Sequence, residues 1–404
     1  MPFRVAYFVS HPIQYQAPLL RFLARCGIDL QVFFLSDYSL REHYEKSFKQ
    51  SFKWDVALTD GYRFETLWRP FRAPSRPPSP LWPVNGFTQH LRAGRFDAVW
   101  VHGWGYLAHC QIVHAAASLG LPVLLRGESL RSTACETSLR DRIRKLFYTR
   151  WLFKRSAAFL YIGSRNYEFY RSFGVAPHRL FPMPYAVDNS FFQTRCFEAK
   201  QNRESLRRSL GILPGRPVIL FAGKLVRRKA PEELLAAFKL ACARLPSDST
   251  PYLLYAGDGP SRPKLERAAS ARSGAVRCVG FLNQTELPAF YDLCDVFVLP
   301  STFEPWGLAL NEAMNAGRAV VVSDRVGAGA DLVASGENGF IYRSGDVAGL
   351  SARLLQLVQS PRLRARMGER SLERIQKWNF AADYNGLSEA LTAVCRRPAA
   401  EIAR

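Results

Sequence analysis

Two open α/β domains, each wound on both faces of a parallel sheet, are what this sequence predicts, and three observations predict them. Apolar, β-rich runs alternate with amphipathic stretches of helical period from end to end. Several of those runs are apolar throughout, as strands covered on both faces should be. The length, 404 residues, exceeds the ~100–200 of one ordinary domain. A hydrophobic content of 48% can fill a packed core and excludes a low-complexity disordered chain. No apolar run approaches the ~20 residues that span a bilayer, and the first ten residues read as a strand, not a secretory signal.

In the first half the predicted strands are Arg4–Ser10, Asp29–Ser36, Ala98–His102, Val123–Arg126, Ala158–Ile162 and Leu180–Pro184. Helical stretches such as Gln16–Arg25 and Leu107–Leu119 lie between them, and the proline-rich Arg69–Asn85 reads as a long surface loop. The pattern stops after Val187. Residues 188–216 are polar and arginine-rich and read as a linker, which bounds a first domain at 1–187. A second alternation follows over 217–378: Val218–Ala222, Leu253–Ala256, Val276–Gly280, Val296–Leu299, Ala319–Ser323 and Gly339–Tyr342. Three helical patterns come after Asp346, and the last opens a segment, 379–404, expected to pack back on the first domain. Open α/β sheets bind ligands beyond the C-terminal ends of their strands, where loops and helix N-termini converge. Two such sheets are expected to face one crevice.

The charge balance is 55 Lys plus Arg against 34 Asp plus Glu, or +21, with the larger excess before residue 195. An anionic partner is implied. Eight scattered cysteines without a Cys-x-x-Cys suit buried thiols in a reducing compartment, so a cytoplasmic location is expected. Residues 138–155 carry Leu139, Ile143, Leu146, Phe147, Trp151 and Leu152 at helical spacing among Arg140, Arg142, Arg144, Lys145, Arg150, Lys154 and Arg155. Such a helix packs its stripe on a sheet, and its basic face can also meet an anionic membrane surface at the inner leaflet.

The densest signal is Ser301-Thr-Phe-Glu-Pro-Trp-Gly-Leu-Ala-Leu-Asn-Glu-Ala-Met-Asn-Ala-Gly317. It follows a strand and enters a helix expected to begin near Trp306 or Gly307, with Pro305 at its start. Gly307 and Leu308 would bring bare backbone and first-turn amides toward an anion such as a phosphate. Glu304 and Glu312 suit vicinal sugar hydroxyls, since a carboxylate accepts from two adjacent O–H groups. Lys224 and Lys229, after Gly223 at another strand end, can neutralise a departing diphosphate.

Glu304-x7-Glu312 in this setting resembles the signature of retaining GT-B glycosyltransferases of the family 4 type. Phe221-Ala-Gly-Lys-Leu-Val-Arg-Arg-Lys-Ala230, Tyr255-Ala-Gly-Asp-Gly-Pro260, Val279-Gly-Phe-Leu282, Asn338-Gly-Phe and Trp378-Asn-Phe380 resemble its other segments in order and spacing. Lys224 stands where the family usually has Arg, and Ala230 where it usually has Gly. The resemblance implies two Rossmann-like domains facing a cleft, the C-terminal helix crossing back to the first. It implies a nucleotide-diphospho-sugar co-substrate, UDP- or GDP-linked, with no cofactor and no metal. Lys224, Lys229 and the amides near Gly307 would stabilise the leaving diphosphate, Glu304 would orient the sugar and Glu312 the ribose. Gly223, Phe281, Leu282, Pro305, Trp306, Gly307 and Leu308 would line the donor, with Phe281 and Leu282 at the nucleobase.

The first half resembles the family more loosely. Its first strand leads into Ser10-His-Pro-Ile-Gln-Tyr-Gln16, without the glycine-rich loop of many relatives, so His11, Gln14 or Gln16 would face the cleft. His102 in Val101-His-Gly-Trp104 matches a histidine that meets the donor sugar near the reacting centre. Arg126 and Glu128, in Arg126-Gly-Glu-Ser129, are expected on the acceptor side. The acceptor would be a glycan or lipid-linked precursor in cell-envelope or exopolysaccharide assembly. The alternatives are a GT-B sugar-nucleotide epimerase, against which Phe-Glu-Pro-Trp-Gly-Leu speaks, and a basic nucleic-acid-binding protein, for which no recognition element stands in the sequence.

Overall fold

The apolar runs do become parallel strands. In the computed structural model, which describes residues 2–45, 48, 50–67, 86–130, 143, 146–270 and 275–395, the chain divides into two units. One comprises residues 1–43, 57–185 and 380–404, the other 44–56 and 186–379. The proline-rich segment 69–85, Cys135 and most of the 138–145 part of the basic stretch lie outside the described residues.

The first unit opens with β1 (Arg4–Val9) and β2 (Asp29–Phe34), paired in parallel from Arg4↔Asp29 to Val9↔Phe34. Two short strands, β3 (His43–Glu45) and β4 (Gln50–Phe52), then pair only with each other. The first sheet is completed by β5 (Arg63–Thr66), β6 (Ala98–His102), β7 (Val123–Arg126), β8 (Ala158–Tyr161) and β9 (Leu180–Pro182). Its order is β5-β2-β1-β6-β7-β8-β9, so the direction of winding reverses between β1 and β6. All of β6 is buried, and Val99, Val101 and Phe8 share a core with Ile112 and Val113 of the helix Leu107–Ser118. That double coverage is why the strands read as unbroken apolar runs.

The helix Phe380–Val394 packs on β8 and β9 of this same unit. Its Gly386 lies so close to β9 that a Cβ there would overlap the Pro182 carbonyl oxygen. The Phe380 ring stands 5.9 Å from that of Phe22, and the Cys395 thiol donates to the Asp97 carbonyl at 3.4 Å.

The second unit holds β10 (Val218–Ala222), β11 (Tyr252–Ala256), β12 (Val276–Gly280), β13 (Val296–Leu299), β14 (Ala319–Ser323) and β15 (Gly339–Tyr342). All are parallel in the order β12-β11-β10-β13-β14-β15, with its reversal between β10 and β13. The span expected as a linker, 188–216, is not one. It forms the helices Asn189–Ala199 and Arg203–Ser209, and both pack on the helix Leu287–Leu293 of the second unit. Asp188 caps the first of them by accepting from the Phe191 amide at 3.0 Å. The polar composition hid this because the buried contacts rest on few residues, Phe192 and Cys196 among them.

Candidate functional site

The chemistry-bearing residues of the second unit gather where its winding reverses. Beyond β10, Gly223 has φ +147° and donates to the Ala256 carbonyl at 2.9 Å, while Gly257, at φ +138°, donates to the Gly280 carbonyl at 2.7 Å. A Cβ on Gly257 would overlap the Gly223 carbonyl oxygen, so glycine is required for these strand ends to close on one another. A tight turn over Arg227–Lys229 follows, and the helix Pro231–Cys242 starts from Ala230 at φ +50°. A left-handed conformation at this position favours glycine over alanine.

Beyond β13, Thr302 donates its amide to the Arg228 carbonyl at 2.8 Å, which ties this loop to the basic one. Lys229 then pairs with Glu304, both side chains being largely buried. Glu304 is fixed from its other side, since the Gly327 amide donates to its carbonyl at 2.9 Å. Pro305 lies in this loop rather than in the helix, which spans Leu308–Asn315 with Gly307 as its N-cap at φ +103°. No side chain caps the first turn, so its amides and the helix dipole are presented to whatever lies beyond. Leu308 begins that helix, half-buried.

Trp306 is an anchor, contrary to its expected place against the donor. Its ring is buried 5.1 Å from that of Trp378, and Nε1 donates to Asn311 Oδ1 at 3.0 Å. Glu312 accepts from the Tyr291 hydroxyl at 2.6 Å, and burial pushes its carboxyl up to about 7 against that bond's opposing pull.

The expected base site contains residues that sequence reasoning missed. Phe281 stands 4.4 Å from the Phe52 ring and 5.0 Å from that of Phe48, with Leu282 half-buried beside it. Both partners come from the β3–β4 hairpin, which interrupts the first half of the sequence yet belongs to the second unit. The same hairpin reaches Lys224: Glu45 Oε1 lies 3.4 Å from Nζ, and the Phe48 ring centroid 5.1 Å from it. The clustering of Phe48, Phe52 and Trp54 was the available signal.

In the first unit the residues at the β1/β6 reversal form a buried polar network. The Tyr7 hydroxyl donates to Gln16 Oε1 at 2.8 Å, and Gln16 Nε2 lies 3.0 Å from His102 Nε2. The Tyr185 hydroxyl stands 3.1 Å from that same nitrogen and donates to Glu128, which also accepts from Tyr15 at 3.2 Å. Burial first, then Arg126 and His109, hold His102 well below its ordinary value, so it is a neutral imidazole at pH 7. His11 is engaged locally, with Ser10 Oγ 2.8 Å from Nδ1 and the Tyr38 hydroxyl 3.1 Å from Nε2, while Gln14 is half-buried.

Arg126 is not on an acceptor surface. It is 1% exposed, donates to the carbonyls of Met183 (2.9 Å) and Pro184 (3.0 Å), and pairs with Asp383 at 3.1 Å. Its task is to fasten the C-terminal helix to the first sheet. Among the described residues no group of three or more His, Cys, Asp and Glu is arranged to hold a metal ion, and no helix is long and apolar enough to cross a membrane.

Each unit is an open parallel α/β sheet, and in the second, cations, carboxylates and uncapped amides stand at the strand-order reversal, where such sheets bind ligands. Comparison with known proteins agrees. Residues 12–186 match the family model "Glycosyl transferase 4-like domain" and residues 202–374 match "Glycosyl transferases group 1". The chain belongs to the GT-B glycosyltransferases. It is 29% identical over 281 residues to the alpha-D-kanosaminyltransferase of Streptomyces kanamyceticus, covering 65% of this chain and 70% of that one. It is 33% identical over 201 residues to the D-inositol 3-phosphate glycosyltransferase of Corynebacterium efficiens, covering 48% and 47%, so about half of that relative is matched. The structure of HepE from Anabaena in complex with UDP aligns over 97% of this chain and 100% of its own, with a TM-score of 0.71 at 16% identity. That likeness is one of fold.

Proposed function

We propose that the chain moves a sugar from a UDP- or GDP-sugar to an acceptor hydroxyl with retention of anomeric configuration and without a metal. The observation that carries this reading is Lys229 held on Glu304 at the β10/β13 reversal, beside the uncapped helix at Gly307. Lys229, Lys224 and the first-turn amides supply positive potential where a diphosphate leaves, which is the transition-state charge that such a reaction develops. Glu304, with its position fixed by Lys229 and the Gly327 amide, accepts from sugar hydroxyls. Glu312 accepts from the ribose. Neutral His102 can donate to a sugar hydroxyl without carrying charge into its site. Same-face attack gives retention: the acceptor oxygen bonds to the anomeric carbon as the bond to the phosphate oxygen breaks, and the acceptor proton passes to that phosphate.

The comparisons support this chemistry by likeness. HepE is described in complex with UDP-glucose, and a lipopolysaccharide core biosynthesis glycosyltransferase of Rhizobium meliloti is 35% identical over 161 residues. An envelope or exopolysaccharide acceptor is therefore proposed, glycan or lipid-linked, with the enzyme cytoplasmic at the inner face of the membrane. The exposed Ile143 and Leu146 of the basic stretch suit that contact. The test is a panel of UDP-, GDP- and ADP-sugars assayed for thermal protection and for slow hydrolysis. One donor raising Tm and releasing its sugar supports the reading; protection by oligonucleotides alone would replace it with nucleic-acid binding.

A further inference from the structure

We propose that the β3–β4 hairpin is a donor-site element in which Glu45 stands in for the donor's phosphate on Lys224, so that Glu45 competes with nucleoside diphosphates and lowers the preference for them over monophosphates. The inference rests on the donor reading above and extends it to a segment that no glycosyltransferase motif in this sequence includes.

Three observations carry it. The hairpin is docked by specific bonds: Asn283 Nδ2 donates to the Lys53 carbonyl at 2.8 Å, and the Thr285 amide and hydroxyl both donate to Asp55 Oδ2, the former at 3.1 Å. Its rings pack against Phe281, Phe52 tilted by 30° and Phe48 edge-on at 68°, so both are set in place at the strand end that Phe281 occupies. Glu45 and Phe48 both reach the Lys224 ammonium, a carboxylate at 3.4 Å and a ring face at 5.1 Å. Lys229 already has Glu304 as its buried partner. Lys224 is thus the cation whose partner comes from a separate, docked segment, and a phosphate that reaches it must displace Glu45.

The consequence is selective. A ligand with a second phosphate competes with Glu45 for Lys224, whereas a nucleoside monophosphate that stops short of Lys224 leaves the pair intact. Removing the carboxylate's charge should help only the first. The pair is about one-third exposed, so the gain should be that of a modest ion pair, about two- to five-fold.

The experiment is calorimetric titration of the full chain with UDP, UMP, GDP and GMP, for wild type, Glu45→Gln, Glu45→Asp and Lys224→Met. The expected result is diphosphate affinity raised about two- to five-fold in Glu45→Gln, with monophosphate affinity unchanged. Lys224→Met should narrow the preference for diphosphate. Glu45→Asp, with a shorter arm, should shift in the same direction as Glu45→Gln and serves if that variant folds poorly. Equal shifts for mono- and diphosphates, or no shift where wild type binds UDP or GDP, overturn the inference and leave the donor reading standing. Failure of every diphosphate to bind wild type overturns both.

Discussion

Asp383→Ala should be among the most destabilising single substitutions in the first unit. The Arg126–Asp383 pair is 1% and 0% exposed, so removing the carboxylate strands a guanidinium that water cannot reach. Breaking such a pair from one side costs about 3–5 kcal/mol, because the remaining charge is uncompensated. The Met183 and Pro184 carbonyls still accept from Arg126 and keep the loss toward the lower end. Arg126→Met with Asp383→Ala removes both charges, leaving two carbonyls short of a donor at about 1–3 kcal/mol each. The double variant should therefore lose less than the sum of the single ones. The assay is urea unfolding, with the first transition attributed to this unit, in a full double-mutant cycle. Strictly additive losses would refute the pair as the clasp of the C-terminal helix.

Other outcomes follow from the same geometry. Gly386→Ala should weaken that helix's docking by forcing a methyl against the Pro182 carbonyl, read as a lower first unfolding midpoint. Ala230→Gly should stabilise the second unit by about 1 kcal/mol, since it relieves a left-handed residue at φ +50°; a loss of stability would contradict this. Lys229→Ala should lower kcat by about 10²–10³, the usual worth of one stabilising group for transition-state charge. Glu312 titrates near 7 and an ionised carboxylate is the better ribose acceptor, so binding favours proton loss. Diphosphate affinity should rise as pH passes from 6 to 8, and Glu312→Gln should flatten that part of the profile. The same raised value has the opposite sign for folding: the unfolded state ionises near 4.5, so this carboxyl costs stability as pH rises from there through 7.

The two sheets were legible because a strand covered on both faces leaves an unbroken apolar run, as Val218–Ala222 and Ala319–Ser323 do. The candidate site's turns were legible where backbone conformation dictates residue type, as at Gly223 and Gly307, which both have positive φ. Side-chain fate was not. Arg126 and Trp306 stand in motif positions but point into the unit, and only tertiary packing decides that. The helices of 189–209 were hidden because their first buried face is narrow and their outward face is charged. The β3–β4 hairpin was missed for a related reason: its strands are three residues each, and their partner surface lies some 230 residues further along the chain.

The central claim, retaining transfer from a nucleotide sugar, is tested most directly by proton NMR of the product first formed from an α-linked UDP- or GDP-sugar. The account predicts an α-configured sugar at the earliest time points, absent in Lys229→Ala. A first-formed β product would contradict it.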